Sequence, residues 1–235
     1  MSNSILSVEN LTKKFAAKKF WLRQNEPEFT AINNISFELG QSEILGFLGP
    51  NGAGKTTTIS ILLGVMSPTS GDIKYFGKNF SQNRSEIMQN VSFASTYVRL
   101  PGRLSVYENL DVYARIYGMR HSDRLENVSK FLKFFDLWEM RNRDTGRLYA
   151  GQTTCVMVVK AFLARPKIVL LDEPTASLDP DISKMVREFI KTQRSENGTS
   201  ILLTSHNMDE VTESCNRVLV LKKGSIIANN TPEQL

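Results

Sequence analysis

The 235-residue sequence predicts an α/β domain in which a helical subdomain interrupts a sheet core. Three observations predict it. The apolar run at 44–48 feeds a glycine-rich turn with a helix behind it. The continuous apolar run at 168–171 shows no polar alternation, which suits a central strand covered on both faces. Between these runs, from about 81 to 165, apolar residues are spaced mostly as in helices.

Taken in order, residues 5–9 and 35–39 alternate apolar and polar side chains, the period of half-buried strands. Residues 43–48 form the next strand, 56–63 the helix after the glycine-rich turn, and Gly71-Asp72 reads as a turn signal. Leu110, Val112, Ala114, Ile116, Phe131, Leu132 and Phe135 mark the helical stretch. Strands return at 168–171, 201–203 and 218–221, with a helix over about 181–194 between the first two. Thr231-Pro232-Glu233-Gln234 carries the Thr, Pro and Gln of a capped helix start, and the sequence stops there, which suggests a longer protein. No internal repeat or low-complexity linker is present. The expectation is one domain over 1–235, with 1–95 and 166–235 as core and 96–165 as the helical subdomain.

Bulk properties narrow the function classes. No apolar run approaches the roughly 18–20 residues needed to cross a bilayer. The first fourteen residues lack the charge and apolar pattern of a secretory signal, so a cytoplasmic chain is expected, held at any membrane by another protein. Cys155 and Cys215 lie far apart without metal-ligand spacing and read as reduced thiols. The net charge of +5 comes from scattered basic residues with no RNA- or DNA-binding signature, so no nucleic acid is expected as partner.

Two motifs carry chemistry. Gly49-Pro50-Asn51-Gly52-Ala53-Gly54-Lys55-Thr56 fits G-x-x-x-x-G-K-[ST] in full. Glycines let the backbone curl around a polyphosphate with its N–H groups inward, and the following helix, which includes Thr57, turns its positive end to the same anion. Lys55 is expected on the β- and γ-phosphates of ATP, and the Thr56 hydroxyl on Mg²⁺. The run at 168–171 then delivers Asp172 and Glu173 at a strand's carboxyl end, where ligands collect in open α/β sheets. Asp172 is expected to help hold Mg²⁺, and Glu173 to polarise an attacking water as general base.

Together with these motifs, nearly the whole chain resembles the nucleotide-binding domain of ATP-binding cassette (ABC) transporters, in its exporter-type and ABC-2-like branch. Asp172-Glu173-Pro174-Thr175 and Ser177-Leu178-Asp179 look like the Walker B motif running into the D-loop. His206 sits where the family's switch histidine senses the γ-phosphate, and Phe15 resembles the aromatic that stacks on adenine. The resemblance implies a P-loop NTPase sheet core of ABC type with an antiparallel β subdomain and an inserted α-helical subdomain. It also implies an ATPase on the cytoplasmic face of the membrane that works in pairs, each ATP lying between one subunit's phosphate loop and the other's signature loop. Closure of the pair would drive integral membrane permease subunits.

Two departures stand out. The family signature Leu-Ser-Gly-Gly-Gln appears as Leu148-Tyr149-Ala150-Gly151-Gln152, with Gly151 and Gln152 kept as nucleotide contacts. Each lost donor to a transition-state oxyanion costs on the order of 2.7–4 kcal/mol. Cys155 stands where the family usually has arginine, and Thr96 where the Q-loop has glutamine. Residues 16–29 form a longer link than usual, basic and aromatic, read either as a solvated hairpin extension or as a docking surface. The second subunit is either a copy of this chain or a different cassette with an intact signature. The signature favours the latter slightly. A soluble non-transport cassette and a weakly hydrolysing regulatory cassette are the alternatives.

Overall fold

A computed structural model of the chain describes residues 4–16 and 28–235. In chain order the elements are β1 (Ser4–Phe15), β2 (Phe29–Gly40), β3 (Ile44–Leu48), α1 (Lys55–Leu62), β4 (Ser70–Tyr75), β5 (Lys78–Asn79), α2 (Phe80–Met88) and β6 (Val91–Ser95). They continue with α3 (Val106–Ile116), α4 (His121–Phe134), α5 (Ala150–Phe162), β7 (Ile168–Asp172), α6 (Pro180–Asn197), β8 (Ser200–Ser205), α7 (Met208–Ser214), β9 (Arg217–Lys222) and β10 (Ser225–Asn230). The fold is α/β, divided into two compact units: Met1–Met88 with Thr204–Leu235, and Gln89–Leu203.

In the first unit β1 and β2 form a long antiparallel hairpin, and β4 and β5 extend the sheet on the other side of β1 in the order β2-β1-β4-β5. The hairpin register shifts at four places, the last where Lys13 pairs with Ile32 but Lys14 with Thr30, so Ala31 is an extra, bulged residue. The expected turn at Gly71-Asp72 is corrected, because both residues lie inside β4. Gly71 has φ 101°, and a Cβ there would stand 2.6 Å from the Asn10 carbonyl oxygen. A close backbone approach, not a reversal, requires that glycine. β3 pairs in parallel with β9, which pairs antiparallel with β10. All five residues of β3 are buried. Gly46 lets α7 close on it, since a Cβ there would lie 2.7 Å from Cys215 Sγ. Arg217 pins the strand starts: its Nε donates to Glu43 at 2.8 Å and an Nη to the Glu38 carbonyl at 2.6 Å.

The second unit holds β6 and β7, paired in parallel from Val91 opposite Ile168 to Ser95 opposite Asp172. The expectation of mostly helical structure over 81–165 therefore fails at β6. Five residues are too few for periodicity to separate strand from helix. Its hydrophobic centre is aromatic. The Phe189 ring on α6 lies 4.9–5.5 Å from those of Phe131, Phe134, Phe135 and Phe162. Leu110 and Ala114 on α3 are buried, but Val112 and Ile116 are exposed, because a helix buries one stripe and these two lie off it. The C-terminal residues Pro232–Gln234 form a single 3₁₀ turn, with Thr231 N–H donating to Gln234 Oε1 at 3.3 Å. Both cysteines are buried thiols, not joined in a disulfide. Among the described residues no helix is long and apolar enough to cross a membrane.

Candidate functional site

The first unit builds a phosphate loop. β3 ends at Leu48, and the chain turns through Gly49, Pro50, Asn51, Gly52 and Ala53, with Ala53 N–H closing on the Pro50 carbonyl at 3.1 Å. Gly52 and Gly54 hold φ of 80° and 105°, the left-handed region that glycine adopts without strain. Gly54 caps α1 through its backbone, as no side chain does so. Its carbonyl accepts both the N–H and the hydroxyl of Thr58 at 2.9 Å. No acidic residue occupies the first turn of α1, which suits an anion at its positive end. Lys55 is 5% exposed and curls back on the loop, its Nζ donating to the Gly49 carbonyl at 2.5 Å and to Pro50 at 3.4 Å. Thr56 is exposed and Thr57 half-buried on the same turn.

Two further segments of that unit reach the loop. Gly49 N–H donates to the Ser205 carbonyl at 3.2 Å, which fixes His206, the next residue, beside the loop's first glycine. Ser205 is completely buried and braces the turn after β8: its hydroxyl donates to Glu210 Oε2 at 2.5 Å and accepts from Asn207 N–H at 3.0 Å. His206 itself is exposed. On the other side the carbonyl of bulged Ala31 lies against Gly54, where a Cβ would meet it at 2.6 Å. Phe15, 38% exposed, ends β1 with Lys13 Nζ 5.1 Å from its ring centroid. Residues 17–27 of the link read as an extension lie outside the described residues. Sequence reading missed Ser205 and Ala31, because each acts through a backbone carbonyl that no side-chain pattern reveals.

The second unit positions the acidic pair. β7 is buried throughout and carries Asp172 at its end, 1% exposed, followed by Glu173 at 5%. Glu173 holds φ 53° and Ser177 φ 62°. The turn between them is tied by Ala176 N–H to the Glu173 carbonyl and Leu178 N–H to Thr175, both 3.2 Å. Asp179 caps α6, accepting from Ile182 N–H at 3.1 Å, with Pro180 at the first helical position. Ser95 pairs with Asp172 across β6 and β7, so Thr96 follows directly beyond the end of that strand pair.

The signature stretch starts α5. Tyr149 occupies its N-cap with no side-chain cap hydrogen bond and is 75% exposed. Gln152 accepts from Tyr149 N–H at 3.1 Å. Gly151 lies against α6, where a Cβ would meet Ile182 Cδ1 at 3.1 Å. Burial, and then the negative charge of Asp179, push the Cys155 thiol up to about 12. The signature helix and the D-loop are thus packed together, and Asp179, expected as a nucleotide contact, also serves this joint.

Comparison with known proteins accords with this geometry. The family model described as ABC transporter matches residues 32–176. A shorter match, over residues 157–212, is to an AAA domain model. The chain is 32% identical over 237 residues to the "Lipopolysaccharide export system ATP-binding protein LptB" of Haemophilus influenzae, covering 99% of this chain and 92% of that protein. It is 31% identical over 232 residues to the "Probable multidrug ABC transporter ATP-binding protein YbhF" of Escherichia coli, covering 99% of this chain but only 38% of YbhF's length. In fold it superposes on a dimeric structure of the bacterial ABC transporter cassette MJ0796 with a TM-score of 0.84 at 21% identity, covering 97% and 98% of the two chains. A full phosphate loop after a buried strand, an acidic pair ending a second one and a family match across both place this chain in the ABC transporter family, as an ATP-binding cassette with the P-loop NTPase fold.

Proposed function

We propose that the chain binds and hydrolyses Mg-ATP, and that ATP-driven pairing with a second cassette powers integral membrane permease subunits. The observation that carries the reading is the phosphate loop itself. Left-handed glycines, a helix N-terminus with no acidic residue in its first turn and the curled-in Lys55 converge on one spot, and the Gly49–Ser205 hydrogen bond brings His206 to it. The backbone N–H groups from Gly49 to Thr57 cradle the phosphates, and Lys55 moves from its own loop's carbonyls onto the β- and γ-oxygens. His206 reports the γ-phosphate, and Phe15 stacks on adenine. Glu173 orients and polarises the attacking water. Thr56 and Asp172 supply the hydroxyl and carboxylate oxygens that suit Mg²⁺, which would neutralise charge on the β- and γ-phosphates. In a pair, Gly151, Gln152 and Asp179 face the partner's nucleotide.

The division of labour within the cassette is part of the proposal: 1–95 and 166–235 hold the nucleotide, and helical residues 96–165 carry the signature to the partner. The relatives' names, "LptB" of a lipopolysaccharide export system and "YbhF" of a multidrug transporter, support a peripheral position on the cytoplasmic face of a membrane. The dimeric cassette structure supports pairing. Tyr149 at the N-cap favours a partner with an intact signature over a second copy of this chain. The test is ATP binding and phosphate release by the purified chain. Lys55→Ala should abolish both, whereas Glu173→Gln should keep binding and lose turnover. ATP binding indifferent to Lys55→Ala would sink the reading.

A further inference from the structure

The hairpin of β1 and β2 carries a second exposed aromatic that the nucleotide site does not yet use. Phe29 is the direct register partner of Phe15 and is 56% exposed. Residues directly opposite in an antiparallel pair project to the same face, with Cβ atoms about 4.5–5.5 Å apart. The two rings therefore share one face of the sheet, and Lys13 lies over the Phe15 ring. Exposed phenylalanines side by side form an apolar surface wider than one ring, open to a flat ligand.

Their position relative to the phosphate loop follows from the bulge. Ala31 is the extra residue in β2, and its carbonyl is packed against both Gly54 of the loop and Gly224, at 2.6 and 2.8 Å from where a Cβ would stand. Asn33 N–H fixes the same strand to the Gly224 carbonyl at 2.8 Å, and Gly224 N–H donates to the Ala53 carbonyl at 3.1 Å. Phe29 lies two residues before Ala31, about 7 Å along the strand from the loop. Bulges re-aim strands beside functional sites. This one clamps the hairpin to the loop, which fixes the aromatic pair two residues along the strand from the Ala31–Gly54 contact.

We infer that Phe29 is a base-contacting residue, and that Phe15 and Phe29 together form a two-ring platform for the purine of the nucleotide. The inference rests on the reading of 49–56 as a triphosphate site and adds a specific contact to it. Base–aromatic contacts lose about five- to tenfold or more in affinity on removal of one ring.

The test measures equilibrium binding of ATP and of inorganic tripolyphosphate, which has no base, to the wild-type chain and to Phe15→Ala, Phe29→Ala, Phe29→Leu and Lys55→Ala. Phe29→Ala should weaken ATP about five- to tenfold and leave tripolyphosphate unchanged. Unchanged tripolyphosphate binding also shows that the variant is folded. Phe29→Leu, which keeps the apolar bulk without a π face, should show a smaller loss in the same direction. ATP binding that depends on Lys55 and Phe15 but not on Phe29 overturns the inference and leaves the triphosphate site standing. ATP binding indifferent to Lys55 and to both rings overturns the site, and the inference with it.

Discussion

Glu173 shows how much a single residue can be made to hold. It is 5% exposed, follows a fully buried strand, and keeps φ 53°, a conformation that costs a non-glycine residue on the order of 1 kcal/mol. Such strain persists where the surroundings over-determine the backbone, here through the hydrogen-bonded turn from Glu173 to Leu178. The adjacent acids were legible in the sequence, but the backbone that aims them was not, because nothing in Asp-Glu-Pro-Thr announces a left-handed residue. Glu173→Gln, an isosteric change, should leave the melting temperature within about 2 °C of wild type while removing turnover, as thermal unfolding beside a phosphate-release assay will show. Cys155 makes the opposite case, a site residue by position but inert in chemistry. Burial and Asp179 hold its thiol at about 12, so alkylating reagents at pH 8 should label it only after unfolding, as a mass-spectrometric time course will show.

At the scale of elements, helix starts decide the site. α6 begins with a well-made cap, Asp179 then Pro180, and Asp179→Ala should cost about 1 kcal/mol in denaturant unfolding. At the start of α5 the Gln152 side chain accepts from the Tyr149 N–H. Tyr149 stands where a serine hydroxyl would accept from the first turn, and its phenol is too long to reach back. Substituting Tyr149→Ser should therefore stabilise α5 as well as open the signature. α5 also carries Lys160, whose Nζ lies 5.0 Å from the Tyr113 ring centroid and which burial lowers to about 8 from 10.5. In the window between these values the unfolded chain binds more protons than the native one, so stability rises with pH from about 8 to 10.5. Lys160→Met should abolish that rise and raise stability at pH 7, read from urea melts at pH 7, 9 and 10. The boundaries of α1 and α6 were close to their sequence expectation. Short β6 was lost inside a helical pattern, and the hairpin ran well beyond its alternating centre because edge residues such as Lys13, Lys14 and Thr30 carry no apolar signal.

For the whole molecule, motifs that advertise themselves in side chains were readable: the phosphate loop, the acidic pair and His206. Joints made by backbone were not, and they are what assemble the site. The Ser205 carbonyl draws His206 to Gly49, and the Ala31 bulge ties the hairpin to Gly54, with Phe29 brought opposite Phe15 by register alone. The resulting cassette has a well-formed phosphate loop and a tyrosine at the N-cap of α5, and its turnover should be limited by Tyr149. The most direct measurement is steady-state ATPase activity of the purified chain beside its Tyr149→Ser variant, each repeated with Glu173→Gln. Low wild-type activity that rises at least about tenfold in Tyr149→Ser and vanishes with Glu173→Gln is the predicted result. Wild-type activity that already equals Tyr149→Ser and depends on Glu173 would contradict it.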